Sequence, residues 1–343
     1  MIVGGGLTSL RILMLRMLML RGAALALLTV VTMAPAVAQT AGDYPSRTIR
    51  IVVPFPPGGP ADLIARFVGQ KMSEDFGQPV VIENRAGGNT APAAQAVARA
   101  APDGYTLFTP MDTTMVMNPL VMNNLPYDPL KDFSLISLLT KNMSLIVVRA
   151  SDGPKSIQEL IAKGKANPGK LNMGAGTITS RLGAVLFAKE AGFDAQLVPF
   201  KGSAEISQAL LSGTVDFALD STGTALPLIR GGQYRVLAKY STRPLPQLPD
   251  LPSVNDAAGL PDLAESSTWI GLTGPAGMPA AIVEKLTRKV ANIYADPVMA
   301  DRLEKAGITP VASSPAEFDT FIRSESQRWS KVFKENSHLK LAD

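Results

Sequence analysis

The segment Pro54-Phe55-Pro56-Pro57-Gly58-Gly59-Pro60-Ala61-Asp62 places two glycines between a strand-like run and a helix-like one. Glycines there let the main chain approach a ligand closely, and the first N–H groups of the following helix point unpaired into that space. Such a turn suits an anion, a carboxylate as well as a phosphate. It matches neither the G-x-G-x-x-G dinucleotide fingerprint nor a phosphate loop ending in Gly-Lys-Ser/Thr. Asp62 falls in the first helical turn, where a carboxylate caps N–H groups and orders the loop. Phe55, Pro57, Gly58, Gly59 and Asp62 form the first set of candidate ligand-binding residues. The alternative is a tight strand-to-helix turn that binds nothing.

A second turn of the same character is Gly174-Ala175-Gly176-Thr177-Ile178-Thr179-Ser180-Arg181. Small residues and hydroxyls precede a helix, and the Arg181 guanidinium is able to grip a carboxylate bidentately. Gly176, Thr177, Thr179 and Arg181 are candidates from this turn, against the alternative of an ordinary helix cap beside a solvated arginine. A helix terminus contributes about 0.3–1 kcal/mol to a bound anion and a charged hydrogen bond ~1.5–3, whereas micromolar affinity needs about 8. One loop is insufficient, so two opposed loops are expected to share the ligand.

Three further strand ends carry polar residues: Thr109 and Asp112, Lys201 with Gly202-Ser203, and Asp220 with Ser221-Thr222. Open α/β sheets bind ligands at the carboxyl edge of their strands, so Thr109, Asp112, Lys201 and Asp220 join the candidates, each also readable as a helix cap. Nothing in the spacing pairs Asp112 with Asp220 as catalytic carboxylates.

The chain has no cysteine, which removes disulfides, thiolate nucleophiles and Cys-ligated metals. The one histidine, His338, is the sixth residue counted back from the C-terminus, and no G-x-S-x-G is present, leaving no activated nucleophile. No catalytic residues, cofactor or metal are expected.

These turns need elements to hold them. From residue 44 onward strand and helix patterns alternate. A buried strand is expected over 49–55, then a helix with Leu63, Ile64, Phe67, Val68 and Met72 on one face, stopped by Gly77. A strand over 80–82, a small-residue helix over 93–101 and a strand over 105–109 complete a βαβαβ unit. A second run follows, with strands over 145–148, 170–173, 195–199, 215–219 and 235–238 and helices over 157–166, 180–191 and 203–211. Pro244, Pro246, Pro249 and Pro252 mark a loop. An apolar segment at 269–273 precedes helices over 280–294, 298–306 and 315–335. At 343 residues and 46% hydrophobic content, two α/β lobes are expected.

Residues 1–38 read as a secretory signal peptide. Arg11, Arg16 and Arg21 are its only charges, an apolar run follows, and Ala36-Val37-Ala38 forms a cleavage site. The apolar run includes Pro35 and is shorter than the ~20 residues that span a bilayer. The mature chain would keep 30 basic and 29 acidic residues, so nothing points to nucleic acid. A soluble periplasmic location is expected.

The motifs resemble the Bug (TctC-like) family of periplasmic solute-binding receptors of tripartite tricarboxylate transport. They are Tyr44-Pro45-Ser46-Arg47, Ile51-Val52-Val53-Pro54-Phe55-Pro56-Pro57-Gly58-Gly59, Val81-Ile82-Glu83-Asn84-Arg85 and Ala101-Pro102-Asp103-Gly104-Tyr105-Thr106-Leu107. Leu125-Pro126-Tyr127-Asp128-Pro129 and Val198-Pro199-Phe200-Lys201-Gly202-Ser203 match as well. The resemblance implies a two-lobed type II periplasmic-binding (venus flytrap) fold, each lobe a mainly parallel sheet with flanking helices. Lobe 1 would take 44–144 plus 267–343 and lobe 2 would take 145–266. It implies a receptor that closes over a small carboxylate, a di- or tricarboxylate or related acid, and presents it to transporter membrane subunits. The loop matching 55–62 would hold one carboxylate and the loop matching 174–181 would complete the pocket. Two departures stand out: Ala61 replaces a family hydroxyl before the aspartate, and the second loop is short and carries Arg181, which is expected to select a second negative group. A monomer is expected. A sensor kinase as partner and a secreted α/β hydrolase are the alternatives.

Overall fold

Ile49–Val53 buries every side chain except Arg50, and its β-branched residues fit a pleated strand covered on both faces. This strand, β1, pairs in parallel with β2 (Val80–Asn84) and β3 (Thr106–Phe108). The computed structural model describes residues 44–260 and 267–336; the proposed leader 1–38 and His338 lie outside them. Between the strands run α1 (Pro60–Phe76) and α2 (Ala91–Ala98). Helix α1 ends as expected at Gly77, whose left-handed φ of 65° lets its N–H reach the Ser73 carbonyl at 3.0 Å. After β3 a π-helical turn (Thr113–Met117) leads into α3 (Asn118–Val121) and then β4 (Phe133–Arg149).

The second run comprises α4 (Ile157–Ala166), β5 (Leu171–Ala175), α5 (Ile178–Glu190), β6 (Ala195–Pro199), α6 (Ser203–Ser212) and β7 (Phe217–Ser221). It continues through α7 (Thr222–Arg230), β8 (Tyr234–Lys239) and α8 (Val254–Ala258). The chain returns by β9 (Ser267–Pro275), α9 (Ala280–Ala295), α10 (Pro297–Lys305), β10 (Thr309–Pro310) and α11 (Pro315–Glu335).

The strand order is β2-β1-β3-β9-β4-β7-β5-β6, with β8 and β10 also paired to β4. The outer strands β2-β1-β3 and β7-β5-β6 are parallel, as the alternating pattern implies, while β4 and β9 run antiparallel to their neighbours. Strand β4 has 17 residues and joins the two lobes: Phe133 to Met143 pair with β9, and Ser144 to Val148 pair with β7. Only its second half was expected. In the first half Ser134, Ser137, Thr140, Lys141 and Asn142 interrupt the apolar run, and register shifts between Leu135/Ser137 and Leu138/Thr140 break its two-residue alternation. Helix α7 was not expected because Pro227 sits inside it.

The first lobe packs α1, α9 and α10 on one face of its sheet and α2 and α11 on the other. The second packs α4 and α5 on one face and α6 and α7 on the other. Helix α5 belongs to both. Its Phe187 and Ala188 face the second lobe's core, whereas Ile178, Leu182 and Leu186 join Trp269, Phe318 and Trp329 of the first.

Candidate functional site

Because the sheet edge is shared, the carboxyl ends of β1, β5, β6 and β7 deliver the starts of α1, α5, α6 and α7 to one cleft. Each helix is nine residues or longer and brings a partial positive charge there.

At α1 the glycine turn is held rigid from behind. Gly58 sits at φ +86°, a conformation suited to glycine, and its N–H donates to Asp62 Oδ2 at 2.9 Å. Arg66 Nε donates to the same oxygen at 2.9 Å. Asn84 Nδ2 donates to both Asp62 Oδ1 (2.9 Å) and the Phe55 carbonyl (3.0 Å). Burial works against ionisation of Asp62, but the bonds from Arg66, Gly58 and Asn84 outweigh it and hold the carboxyl below the usual aspartate range. The Gly59 cap has no side-chain bond, and Pro60 at the first helical position has no N–H to satisfy.

The start of α5 is different. Thr177 Oγ1 accepts from the Ser180 amide at 3.1 Å, and Ser180 Oγ accepts from the Thr177 amide at 3.0 Å. This capping box consumes two amides that the sequence reading assigned to a ligand. The starts of α6 and α7 make up the difference, since neither Gly202 nor Ser221 caps its helix through a side chain. Ser221 lines the cleft and is nine-tenths buried, and its Oγ meets no protein partner among the described residues. Ser144 on β4 and Thr268 on β9 add hydroxyls from the strands that join the lobes.

Of the candidates, Phe55, Gly59, Gly176 and Thr177 line this cleft. Arg181 and Lys201 line an adjoining cleft of about 850 Å³, which shares Phe55, Gly176 and Glu205 with the first. Arg181 is buried there, and its Nη2 donates to the Phe200 carbonyl at 3.3 Å. Pro57 and Gly58 are exposed, away from the lining, and Asp62 acts behind the turn. Thr109 is buried and donates to the Val52 carbonyl at 3.3 Å, tying β3 to β1.

Asp112, Thr179 and Asp220 are buried outside the cleft lining. The Thr179 hydroxyl donates to Asp112 Oδ2, a buried bond between the lobes. Burial pushes the Asp112 carboxyl up to about 7, against the Thr179 bond and with help from the nearby Glu325 charge. Burial likewise pushes Asp220 up to about 7, although its Oδ1 accepts the Ser221 amide at 2.8 Å. Among the described residues no three His, Asp or Glu side chains gather to hold a metal ion.

Sequence reasoning missed Ser203 and Ser221 by one or two positions, choosing the charged Lys201 and Asp220 beside them. The usable signal was the serine at or just after the helix cap, because that position faces the cleft while Asp220 is buried in the lobe and Lys201 lines the adjoining cleft. Ser144 and Thr268 carry no local signal, being placed by sheet topology alone.

A family model for the receptor of the tripartite tricarboxylate transporter family matches residues 64–338. The chain is 36% identical over 318 residues to a Pseudomonas sp. (strain P51) protein from the tcbD-tcbE intergenic region, covering 92% of this chain and 93% of that one. An R. palustris protein solved with adipate aligns at TM-score 0.81 and 32% identity, over 85% of this chain and 98% of that one. MatC from Rhodopseudomonas palustris, solved with bound malate, aligns at TM-score 0.78 and 32% identity, over 84% and 99%.

Proposed function

Because the chain belongs to the TctC, or Bug, receptors of the tripartite tricarboxylate transporter family, which bind solutes and are not enzymes, we propose that it closes its two lobes over a small organic carboxylate and hands it to transporter membrane subunits. The family's solved relatives are periplasmic proteins, and no described helix is long and apolar enough to cross a membrane. A secreted receptor with its leader at 1–38 accords with both. The lobes are taken to divide at 144/145 and 266/267, one residue after β4 exchanges β9 for β7 at Met143/Ser144 and where the chain returns through β9.

The observation that carries the reading is the convergence of three helix starts without side-chain caps, α1, α6 and α7, with the unpartnered Ser221 hydroxyl among them. The amides of Ala61 and Ser203 are donors suited to one carboxylate, and the Ser221 hydroxyl at the α7 cap adds a third. Several such bonds at about 1.5–3 kcal/mol each reach micromolar affinity with no lysine or arginine at the anion. The carboxylates named for the adipate and malate relatives agree with this chemistry.

The test is calorimetric titration of refolded, ligand-free protein with a panel of small carboxylates, backed by thermal unfolding. A true ligand at 100 times its Kd should add about 2.7 kcal/mol to stability. Ser221→Ala should weaken that ligand more than about tenfold, the worth of one hydrogen bond to a charged group, without changing the unfolding transition of the ligand-free protein. An unchanged affinity in the variant would place the anion elsewhere.

A further inference from the structure

The inner cleft is polar at its helix starts and apolar elsewhere. Phe55, Met111, Ile206 and Leu219 supply aromatic, thioether and aliphatic walls. Among the described residues lining it the one charged side chain is Glu205, which carries the same sign as a carboxylate ligand. Arg181 and Lys201 line the outer cleft instead. Glu205 lines both clefts and so stands where they meet. It is fixed in place, its Oε2 accepting the Lys201 amide at 3.0 Å.

A ligand whose carboxylate sits at the helix starts and Ser221 Oγ therefore lays the rest of its body on apolar wall. A second carboxylate would have to leave water for that wall, or approach Glu205 on its way to the outer cleft, and both are unfavourable. Resting on the carboxylate reading above, we infer that the inner cleft selects organic acids with one carboxylate and an apolar body and discriminates against a second anionic group.

The experiment titrates refolded protein with unbranched monocarboxylates from propionate to hexanoate and with succinate, glutarate and adipate. Each methylene added to the monocarboxylate should tighten binding about fourfold until the cleft is filled. Hexanoate should bind at least about tenfold more tightly than adipate, which has the same number of carbons. Glu205→Gln should raise the ratio of adipate to hexanoate affinity about tenfold, by removing the like charge. If adipate equals or exceeds hexanoate, or affinity stays flat with chain length, this selectivity is overturned while the carboxylate reading stands. If neither series binds, the carboxylate reading itself falls and the selectivity goes with it.

Discussion

Asp62→Ala is expected to cost about 2–5 kcal/mol of unfolding free energy, since it removes a buried acceptor shared by three donors at about 1–3 kcal/mol for each polar group left short of a partner. The side chain is 2% exposed and accepts from Gly58, Arg66 and Asn84, so alanine takes the acceptor from the Gly58 amide and leaves Asn84 with only its bond to the Phe55 carbonyl behind the turn. The turn would then lose its fixed shape, and carboxylate affinity should fall with it by well over tenfold. The partners should rank differently. Arg66 has a side chain 51% exposed, and its alanine variant should cost under ~1 kcal/mol. Asn84→Ala should fall between them, at about 1–3 kcal/mol, because it also frees the Phe55 carbonyl. Urea unfolding of the three variants gives the ranking; an Arg66 variant as damaged as the Asp62 one would show that the ion pair, and not the main-chain anchoring, holds the turn. The pH dependence has a definite sign. Asp62 is held below the usual range, so its stabilisation is present above the ordinary aspartate value and is lost as pH falls through the lowered one.

Asp112→Asn should act in the opposite sense. With its carboxyl pushed up to about 7, the folded protein keeps a proton that the unfolded chain releases from about pH 4 upward. Rising pH strips that proton and leaves a buried charge whose Oδ1 has no partner among the described residues. Its contribution to stability therefore falls between about pH 4 and 7 and is level above. Asparagine keeps an oxygen for the Thr179 hydroxyl and does not titrate. Between pH 5 and pH 8 the wild type should lose about 3 kcal/mol relative to the variant. Asp220 titrates in the same interval but is common to both proteins and cancels. Chemical denaturation at the two pH values measures the difference directly, and parallel curves would show that Asp112 is hydrated in the folded state.

The architecture was legible where local physics decides it. Helix α4 and strand β6 lie where periodicity places them, and α11 begins at the Ser314-Pro315 signal with a capping box to Glu317. The first glycine turn was legible too, since Gly58, Gly59 and Asp62 declare a left-handed turn and its anchor. What stayed hidden depends on contacts far apart in sequence. Strand β4 is a strand over 133–143 because β9, more than 120 residues later, pairs with it despite its polar residues. The guanidinium chemistry of Arg181 is visible in a sequence, while its place in the adjoining cleft and its bond to the Phe200 carbonyl are not. Ser144 and Thr268 became cleft residues only through the strand order.

Helix α5 also bears on how fast a bound molecule can leave. Swinging the second lobe aside means lifting Ile178, Leu182 and Leu186 off the tryptophan floor formed by Trp269 and Trp329 and exposing them to water. At about 1.5–3 kcal/mol for each large aliphatic side chain, that step is a steep barrier even with the pocket empty. For a receptor that closes its lobes as proposed, Leu182→Ala should therefore speed release of the bound carboxylate while leaving the groups that hold it in place.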